Sequence, residues 1–551
     1  MNVKKFRSDL KSFIDKVILN KFYYFPLVLF SLYAYGFNLV NRTVGMDDLA
    51  YKVFGGDYHY AFTQFRWGIY ILEPIIGVDN YTPFIGRFLA LLLLIFASML
   101  LCFIFFLFDE KNKGIWKYTI FSSIFVTYPL INEVWEFNWL SLPINYDGIS
   151  FFMCLACASI IYQIYNKFSV KTVLICGLLL TPVMAGYESV VFFYISLVFA
   201  VLFLRNRENN TNNWFIDGLQ FALPLVVGLI GRYAIGYLLI YAYGLQDRIV
   251  DTANRVYWTE DLIQAIKGII HNGWYYGVRG LTYFPITEFV FAVLIFAIYV
   301  IYNRVHGNKN YILLGLFLVL SLFFLSFIQG DYLTYRTAQT VQLFVAFVAY
   351  MLVEWLERKR KSYPLIVVLL LCICLKQSVN LHTLLALNNQ RSDNEAYIAR
   401  TIGYRLYNEF DVSKTVIFCG EYQLGSFIQD QLVVDENTLG GKIEAQIRDL
   451  VDHQSNRYYD EYVSTNVNSY WNLQMDAFFG QVMLKNYLSY FGFDINVLEN
   501  LPKEEEDKLK GYYELIAKEE GMKPFDIKDM GDYILVYLGP TIDRVSKLEY
   551  K

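Results

Sequence analysis

Two adjacent acids, Asp47 and Asp48, follow an apolar run in the stretch NRTVGMDDLAYKVFGGDYHYAFTQFRWG, residues 41–68. Partial loss of hydration at the edge of an apolar region raises the pKa of a carboxyl group, and a second acid nearby raises one of the two further. A carboxylate tuned in this way can accept a proton from a reacting hydroxyl group. We therefore regard the pair as a candidate general base, with solvated loop ends as the alternative.

Other charged and aromatic residues recur between apolar runs. Arg232 stands inside the apolar run LIGRYAIG, where a charge usually faces a cavity or a partner. A guanidinium group can also bind phosphate oxygens in a bidentate manner. For any one of these residues alone, surface charge is the simpler interpretation. The candidates for phosphate binding are Arg232, Arg279 and Arg336, and those for binding a hydroxylated acceptor are Arg66, Trp67, Glu133, Glu136, Asp147 and Glu188.

The composition indicates which kind of protein must position these groups. Of the 551 residues, 56% are hydrophobic and only 18% are charged, against about 25% charged in soluble domains. This balance predicts a polytopic membrane protein. The net charge of −4 argues against a nucleic-acid partner. The five histidines show no metal-ligand spacing, so no cofactor is expected, although Asp47 with Glu133 or Asp147 could hold a divalent metal.

Hydropathy predicts an all-α membrane region with about 11 transmembrane helices. The predicted spans are 22–40, 83–108, 115–131, 147–165, 170–186, 189–204, 214–243, 285–303, 311–328, 337–355 and 363–382. Lysine and arginine collect in every second loop, as in ERKRK at 357–361. Because short cytoplasmic loops are rich in these residues, the N-terminus is predicted inside and everything after residue 383 outside. Asp47 and Asp48 then lie at the outer face.

A second domain is predicted from the change in composition at about residue 393. KTVIFCGEY and DYILVYLG are typical of buried strands, whereas AFFGQVMLKNYLSYFGF and PKEEEDKLKGYYELIAKEEG are typical of helices. The prediction is a membrane domain at 1–392 and a small extracytoplasmic α/β domain at 393–551.

These motifs resemble a known family. A basic N-terminus and one span lead to NRTVGMDDL, and RWG (66–68), YES (187–189), YR (335–336) and GDYILVYLG follow. The pattern is similar to the bacterial serotype-converting glucosyltransferases that modify O-antigen and related cell-wall glycans, the Gtr type II family of the GT-C superfamily. The order Arg-Trp-Gly differs from the Gly-Arg-Trp expected of that family.

The resemblance implies a glycosyltransferase that uses a polyprenyl-phosphate sugar, with glucose as the expected hexose, and a cell-surface glycan acceptor. Its first-loop acid maps onto Asp47 or Asp48, and Arg232, Arg279 and Arg336 become candidates for the donor phosphate. The implied partners are membrane lipid, a separate enzyme that charges the lipid phosphate with glucose, and a small flippase. The implied location is the cell (cytoplasmic) membrane.

Two other functions stay open at this stage. A lipid-glycan flippase or another transporter would carry charged residues along its spans and often a pseudo-repeat. A glycan polymerase or ligase would be expected to use Arg-rich outer loops without a paired acid in the first loop. The crowding of charged candidates on the predicted outer face favours the transferase.

Overall fold

The computed structural model describes most of the chain and is mostly helical. The described residues are 3–41, 62–68, 70, 83–109, 114–128, 143–208, 214–248, 258, 262–274, 287–305, 310–330, 339–359, 363–420, 477–498 and 503–540. They form two compact units, divided between Thr383 and Leu384.

Helices account for the first unit, and the last of them runs past Thr383 into the second unit. They are α1 (Val3–Phe13), α2 (Lys21–Val40), α3 (Pro83–Phe106), α4 (Trp116–Thr127), α5 (Pro143–Ile164), α6 (Val170–Met184), α7 (Glu188–Glu208), α8 (Trp214–Ala242), α9 (Leu262–Trp274), α10 (Thr287–Val305), α11 (Asn310–Ser321), α12 (Phe324–Gln329), α13 (Gln339–Lys359) and α14 (Tyr363–Glu409). A π-helical turn, Ile14–Ile18, follows α1.

Six helices are long and apolar enough to cross a membrane. They contain Lys21–Val40, Phe84–Phe106, Glu188–Asn206, Trp214–Ala242, Gln339–Arg358 and Tyr363–Thr383. Four shorter apolar helices cover Ile149–Ile164, Val170–Met184, Glu288–Tyr302 and Ile312–Ser321. The chain is therefore a multi-pass membrane protein. Each predicted span contains a described helix, while the count of 11 and the orientation of the termini stay predictions.

Burial separates the central helices of the first unit from the peripheral ones. Every residue of α4 from Lys117 to Thr127 is buried, and α7 and α13 are also largely buried. Helix α8 instead exposes a long series of large apolar side chains, as expected of a lipid-facing surface. Some of the buried polar groups pair across helices: the Tyr35 hydroxyl donates to the Val126 carbonyl oxygen at 2.8 Å.

The second unit is a small α/β structure. Its strands are β1 (Thr415–Gly420), β2 (Asn496–Val497), β3 (Asp526–Asp529) and β4 (Tyr533–Gly539), and its further helices are α15 (Ala477–Tyr490) and α16 (Lys503–Glu519). The sheet has the order β2-β1-β4-β3. β1 is parallel to β2 and β4, whereas β3 is antiparallel to β4.

The sheet is covered on both faces, as alternation along β1 requires. Val416 and Phe418 pack against the end of α14 and against α15. Ile417 and Cys419 point to the other face, toward Ala517 of α16. Burial raises the pKa of the Cys419 thiol to about 12, so this cysteine stays protonated at neutral pH.

The elements of the second unit match the predicted strands and helices, and two short strands, β2 and β3, were not predicted. Helix α14 runs unbroken from Tyr363 to Glu409, where the sequence predicts a span and then a separate helix. The predicted domain boundary at 392/393 falls inside this helix and stays a prediction, as does the extracytoplasmic placement.

Candidate functional site

The segment 62–68 is held against helix α8 by its aromatic residues. Phe62, Phe65 and Trp67 form a buried cluster with apolar residues of α8 and with Ala185. The Phe65 ring contacts the rings of Tyr233 and Tyr237, with centroids 5.0 Å apart in each case. These α8 positions are four residues apart and lie on one face of the helix. The segment thus follows the face of α8 that carries Arg232.

Glycines allow this close approach. A Cβ atom on Gly236 of α8 would lie 2.5 Å from the Phe65 ring. The Gly68 amide donates to the Ala185 carbonyl oxygen at 2.9 Å, and a Cβ atom on Gly68 would lie 2.7 Å from the Pro182 carbonyl oxygen. A larger residue at either position forces the segment away from the helices. Phe65 itself has a φ of +57°, a conformation that costs free energy in residues other than glycine.

Trp67 fixes the backbone of Arg232, which lies next to it in the fold. Its indole N–H donates to the carbonyl oxygen of Arg232 at 3.0 Å, and only 4% of the residue is exposed. The ring is therefore part of the packing between the segment and α8. In this position Trp67 supports Arg232.

Three charged side chains from distant parts of the sequence meet beside Trp67. We name these residues, Arg66, Glu188 and Arg232, the Glu188 cluster. Arg66 makes a bidentate contact with Glu188, from Nη2 to Oε2 at 2.9 Å and from Nε to Oε1 at 3.3 Å. Arg232 Nη2 donates to Glu188 Oε1 at 3.1 Å and to the Gln64 carbonyl oxygen at 3.4 Å. Glu188 lies in the first turn of α7, where the helix dipole stabilises a negative charge.

The Glu188 cluster contains more cations than anions among the described side chains. Two guanidinium groups, those of Arg66 and Arg232, contact the one carboxylate of Glu188. The side chains of Arg66 and Glu188 are 27% and 32% exposed, and that of Arg232 is 12% exposed. The buried Nε of Arg232 has no hydrogen-bond partner within the described part of the chain. A partly desolvated cation with an unused donor is suited to bind an oxyanion.

The structure brings four of the predicted site residues together, namely Arg66, Trp67, Glu188 and Arg232. Asp147 lies in α5, but its side chain is outside the described set. The predicted residues that lie outside the described ranges are Asp47, Asp48, Glu133, Glu136, Arg279 and Arg336. Their roles stay predictions.

The sequence allows a divalent metal in the same region, at Asp47 with Glu133 or Asp147. Among the residues that the structure describes, no group of three or more His, Cys, Asp or Glu side chains is placed to hold a metal ion. The acids named as possible ligands, Asp47, Glu133 and Asp147, are not among the side chains described.

Sequence reasoning missed the residues that surround the Glu188 cluster. Arg66 lies over the ring of Tyr187, with 5.7 Å between the guanidinium carbon and the ring centroid, and Gln64 contributes its carbonyl oxygen. The position of Tyr187 next to Glu188 in AGYESV is a sequence signal for the first contact. Nothing in the sequence indicates the contact with Gln64, because every residue has a backbone carbonyl and the residue type does not show which one accepts the hydrogen bond.

Comparison with protein families gives a match. The family model described as Glucosyl transferase GtrII matches residues 36–353. This range includes Arg66, Glu188 and Arg232, and it covers more than half of the chain. Searches of curated proteins and of solved structures gave no match.

Proposed function

The chain belongs to the GtrII glucosyl transferase family, a family of membrane glycosyltransferases, and from this premise we propose its donor, acceptor and mechanism. The donor is a polyprenyl-phosphate hexose, with glucose as the hexose. The acceptor is a cell-surface glycan at the outer face of the cytoplasmic membrane. The observation that carries the proposal is the Glu188 cluster, in which Arg232 keeps a buried Nε that has no hydrogen-bond partner among the described residues, a donor that suits a lipid phosphate.

The leaving group sets the first chemical requirement. When the bond between the anomeric carbon and the phosphate oxygen breaks, negative charge grows on the polyprenyl phosphate. A preorganised cation in a partly dry site stabilises that charge. Arg232 is suited to this role, because Glu188 and the Gln64 carbonyl hold its Nη2 while its Nε has no partner among the described residues. Arg279 and Arg336 are proposed to assist.

The nucleophile sets the second requirement. A hydroxyl oxygen of the acceptor forms the new bond to the anomeric carbon, and its proton passes to a carboxylate. We assign that carboxylate to Asp47 or Asp48. One in-line displacement then inverts the anomeric centre. Glu133, Glu136, Asp147 and Glu188 are proposed to bind the acceptor, with Glu188 acting through the arginines that it orients.

The proposal includes partners in the membrane. Since the donor is lipid-linked, a separate enzyme must join glucose to the lipid phosphate, and a small membrane protein must bring the product to the outer face. This placement agrees with the charge pattern of the loops, which predicts the first loop outside.

The acids are tested by Asp47→Asn and Asp48→Asn, each compared with Asp247→Asn. Asp247 is an exposed acid after α8, so its replacement is a matched control for lost charge. One first-loop variant is expected to lose transfer by about 10²–10⁴-fold, the usual contribution of a general base. The measurement is hexose transfer from polyprenyl-phosphate glucose to isolated surface glycan, normalised to protein in the membrane fraction. Full activity in both first-loop variants would remove the proposed base.

A further inference from the structure

A second polar group, apart from the Glu188 cluster, joins three helices of the first unit; we name it the Glu288 cluster. Glu288 lies in the first turn of α10. Gln377 of α14 donates from Nε2 to Glu288 Oε2 at 2.5 Å. The other end of that amide, Oε1, lies 2.8 Å from the hydroxyl of Thr127 at the end of α4. Glu288, Gln377 and Thr127 therefore form one chain of hydrogen bonds.

Glu288 is an acid without a cation at contact distance. Within the described part of the chain it makes no ion pair, and its Oε1 has no hydrogen-bond partner. Lys376 acts on it only through longer-range electrostatics, and the buried Tyr128 lies within the same range. An acid in an apolar helix is costly and usually serves a function. Its Oε1 is an acceptor that no described residue uses.

Gln342 of α13 offers another acceptor at the same level. Its Nε2 donates to the carbonyl oxygen of Phe125, two residues before Thr127. The buried Oε1 has no hydrogen-bond partner among the described residues. Phe344 of α13 contacts Phe289 of α10, with ring centroids 6.2 Å apart, so Gln342 and Glu288 lie at similar heights along neighbouring helices. Gln342 Oε1 is one of several buried polar atoms without a partner among the described residues, and as an acceptor it is available to a hydroxyl donor of a ligand.

The Glu288 and Glu188 clusters lie at the same end of the helix bundle. Phe193 of α7 contacts Phe125 of α4, with ring centroids 6.3 Å apart, which fixes the relative heights of the two helices. Glu188 precedes Phe193 by five residues, or about 7.5 Å along the helix. It therefore lies about one and a half turns beyond the level of Phe125 and Gln342. Such a separation along the bundle is comparable with the length of a hexose 1-phosphate.

We infer that Glu288, Gln342 and Gln377 bind the hydroxyl groups of a hexose. Sugar hydroxyls are donors that need acceptors at fixed positions, and Glu288 Oε1 with Gln342 Oε1 supplies two of them. The inference rests on the proposed function for the identity of the ligand as a hexose substrate. Glu288 is then a residue that determines sugar affinity. The hexose belongs either to the donor or to the acceptor.

The test uses Glu288→Gln and the exchange variant Glu288→Gln/Gln377→Glu in the full chain, purified into lipid nanodiscs. The single variant keeps an acceptor for the Gln377 amide, so the fold is expected to persist. The loss of a hydrogen bond to a carboxylate is expected to raise one KM by about 10- to 100-fold with little change in kcat. Varying polyprenyl-phosphate glucose at fixed glycan, and then the reverse, shows whether the donor or the acceptor carries the hexose.

The exchange variant separates sugar binding from a structural role. It restores the Glu–Gln hydrogen bond with the carboxylate on the other helix. If the bond serves stability alone, the exchange variant regains the wild-type KM, and the inference is overturned. If the carboxylate binds a hydroxyl group at position 288, the KM stays high in both variants. An unchanged KM for both substrates in Glu288→Gln also overturns it.

If the wild type transfers no sugar, the proposed function is overturned. A binding measurement then tests the hexose site on its own. The probes are n-octyl α- and β-glucoside, with tetraethylene glycol monooctyl ether as the control that has the same chain and no ring. Calorimetric titration of the wild type is expected to detect a glucoside in excess of the control. Equal binding of glucoside by the wild type and Glu288→Gln, or none by either, overturns the hexose site.

Discussion

Two ion-pair clusters in the helix bundle differ in their burial and in the ratio of cations to anions among the described side chains. In one, Lys117 pairs with Asp109, and both side chains are at most 2% exposed. The Tyr118 hydroxyl donates to the same carboxylate at 3.0 Å. In the Glu188 cluster the side chains are 12–32% exposed, and two cations share one anion.

The difference teaches how to judge charges in a membrane protein. The Lys117–Asp109 pair is neutral as a unit and lies among the rings of Tyr118 and Tyr350, so it needs no further ligand. In the Glu188 cluster, Arg232 keeps a donor that no described residue uses. The Lys117–Asp109 pair is a contact that holds helices together, whereas the Glu188 cluster is suited to bind an anionic ligand.

The largest effect is expected from Arg232→Gln. Removing a cation that stabilises the leaving phosphate is expected to lower transfer by at least about 100-fold. The matched control is Arg205→Gln, because Arg205 also pairs with an acid, Asp217 at 3.3 Å, outside the Glu188 cluster. Turnover per protein molecule in membranes is the measurement. Wild-type turnover in Arg232→Gln would place the phosphate elsewhere.

Lys117→Met is expected to act on stability instead. Loss of one partner of a buried ion pair costs about 3–5 kcal/mol because a charge is left uncompensated. The thermal unfolding midpoint in detergent is therefore expected to fall. The double variant Lys117→Met/Asp109→Leu is expected to recover most of that loss, since it removes both charges. Transfer by the folded fraction should stay near the wild-type level; a selective loss of activity would make the two clusters alike.

The smallest effect is expected in the second unit, where the partly exposed side chains of Lys414 and Asp529 form an ion pair at 2.7 Å. The Lys414 hydrogen bond, and then the Gly531 amide, lower the pKa of Asp529 below its usual 3.8. Because the folded-state pKa is the lower one, the pair stabilises the fold above about pH 4, and this contribution is lost as the pH falls through the folded-state pKa.

Hydrogen–deuterium exchange of β3 and β4 measures this effect. Relative to Asp529→Asn at the same pH, the wild-type strands are expected to exchange more slowly at pH 6, and this difference is expected to vanish as the pH falls below the folded-state pKa of Asp529. A difference that persists at low pH would rule out the carboxylate as its source. The pair is exposed and screened by water, so its effect is expected to be far smaller than that of Lys117→Met.

The sequence predicts the long helices and strands better than the short strands and the point at which a helix ends. Long apolar runs and alternating strands identify the helices and the strands β1 and β4, because burial dictates their composition. The short strands β2 and β3 escape, since Asn496–Val497 and Asp526–Asp529 carry too few apolar residues to show a period. Helix α14 continues through a polar stretch because no proline or glycine interrupts residues 365–402.

The candidate site could be predicted in part. Arg232 and Glu188 attract attention because charges are rare in apolar runs, and both lie in the Glu188 cluster. Their partnership with Arg66 depends on packing between residues more than a hundred positions apart, which spacing cannot reveal. Glu288 was missed because an acid that opens an apolar run, as in ITEFVFAVLIF, looks like a solvated helix end.

The hydrogen bond from the Trp67 indole to the Arg232 carbonyl has a practical consequence. It places a fluorophore one bond away from the backbone of the residue proposed to hold the donor phosphate. A shift of Arg232 changes the polarity around that indole and hence its emission. Subtracting the spectrum of Trp67→Phe from that of the wild type isolates this signal, so donor arrival can be followed in real time without any added label.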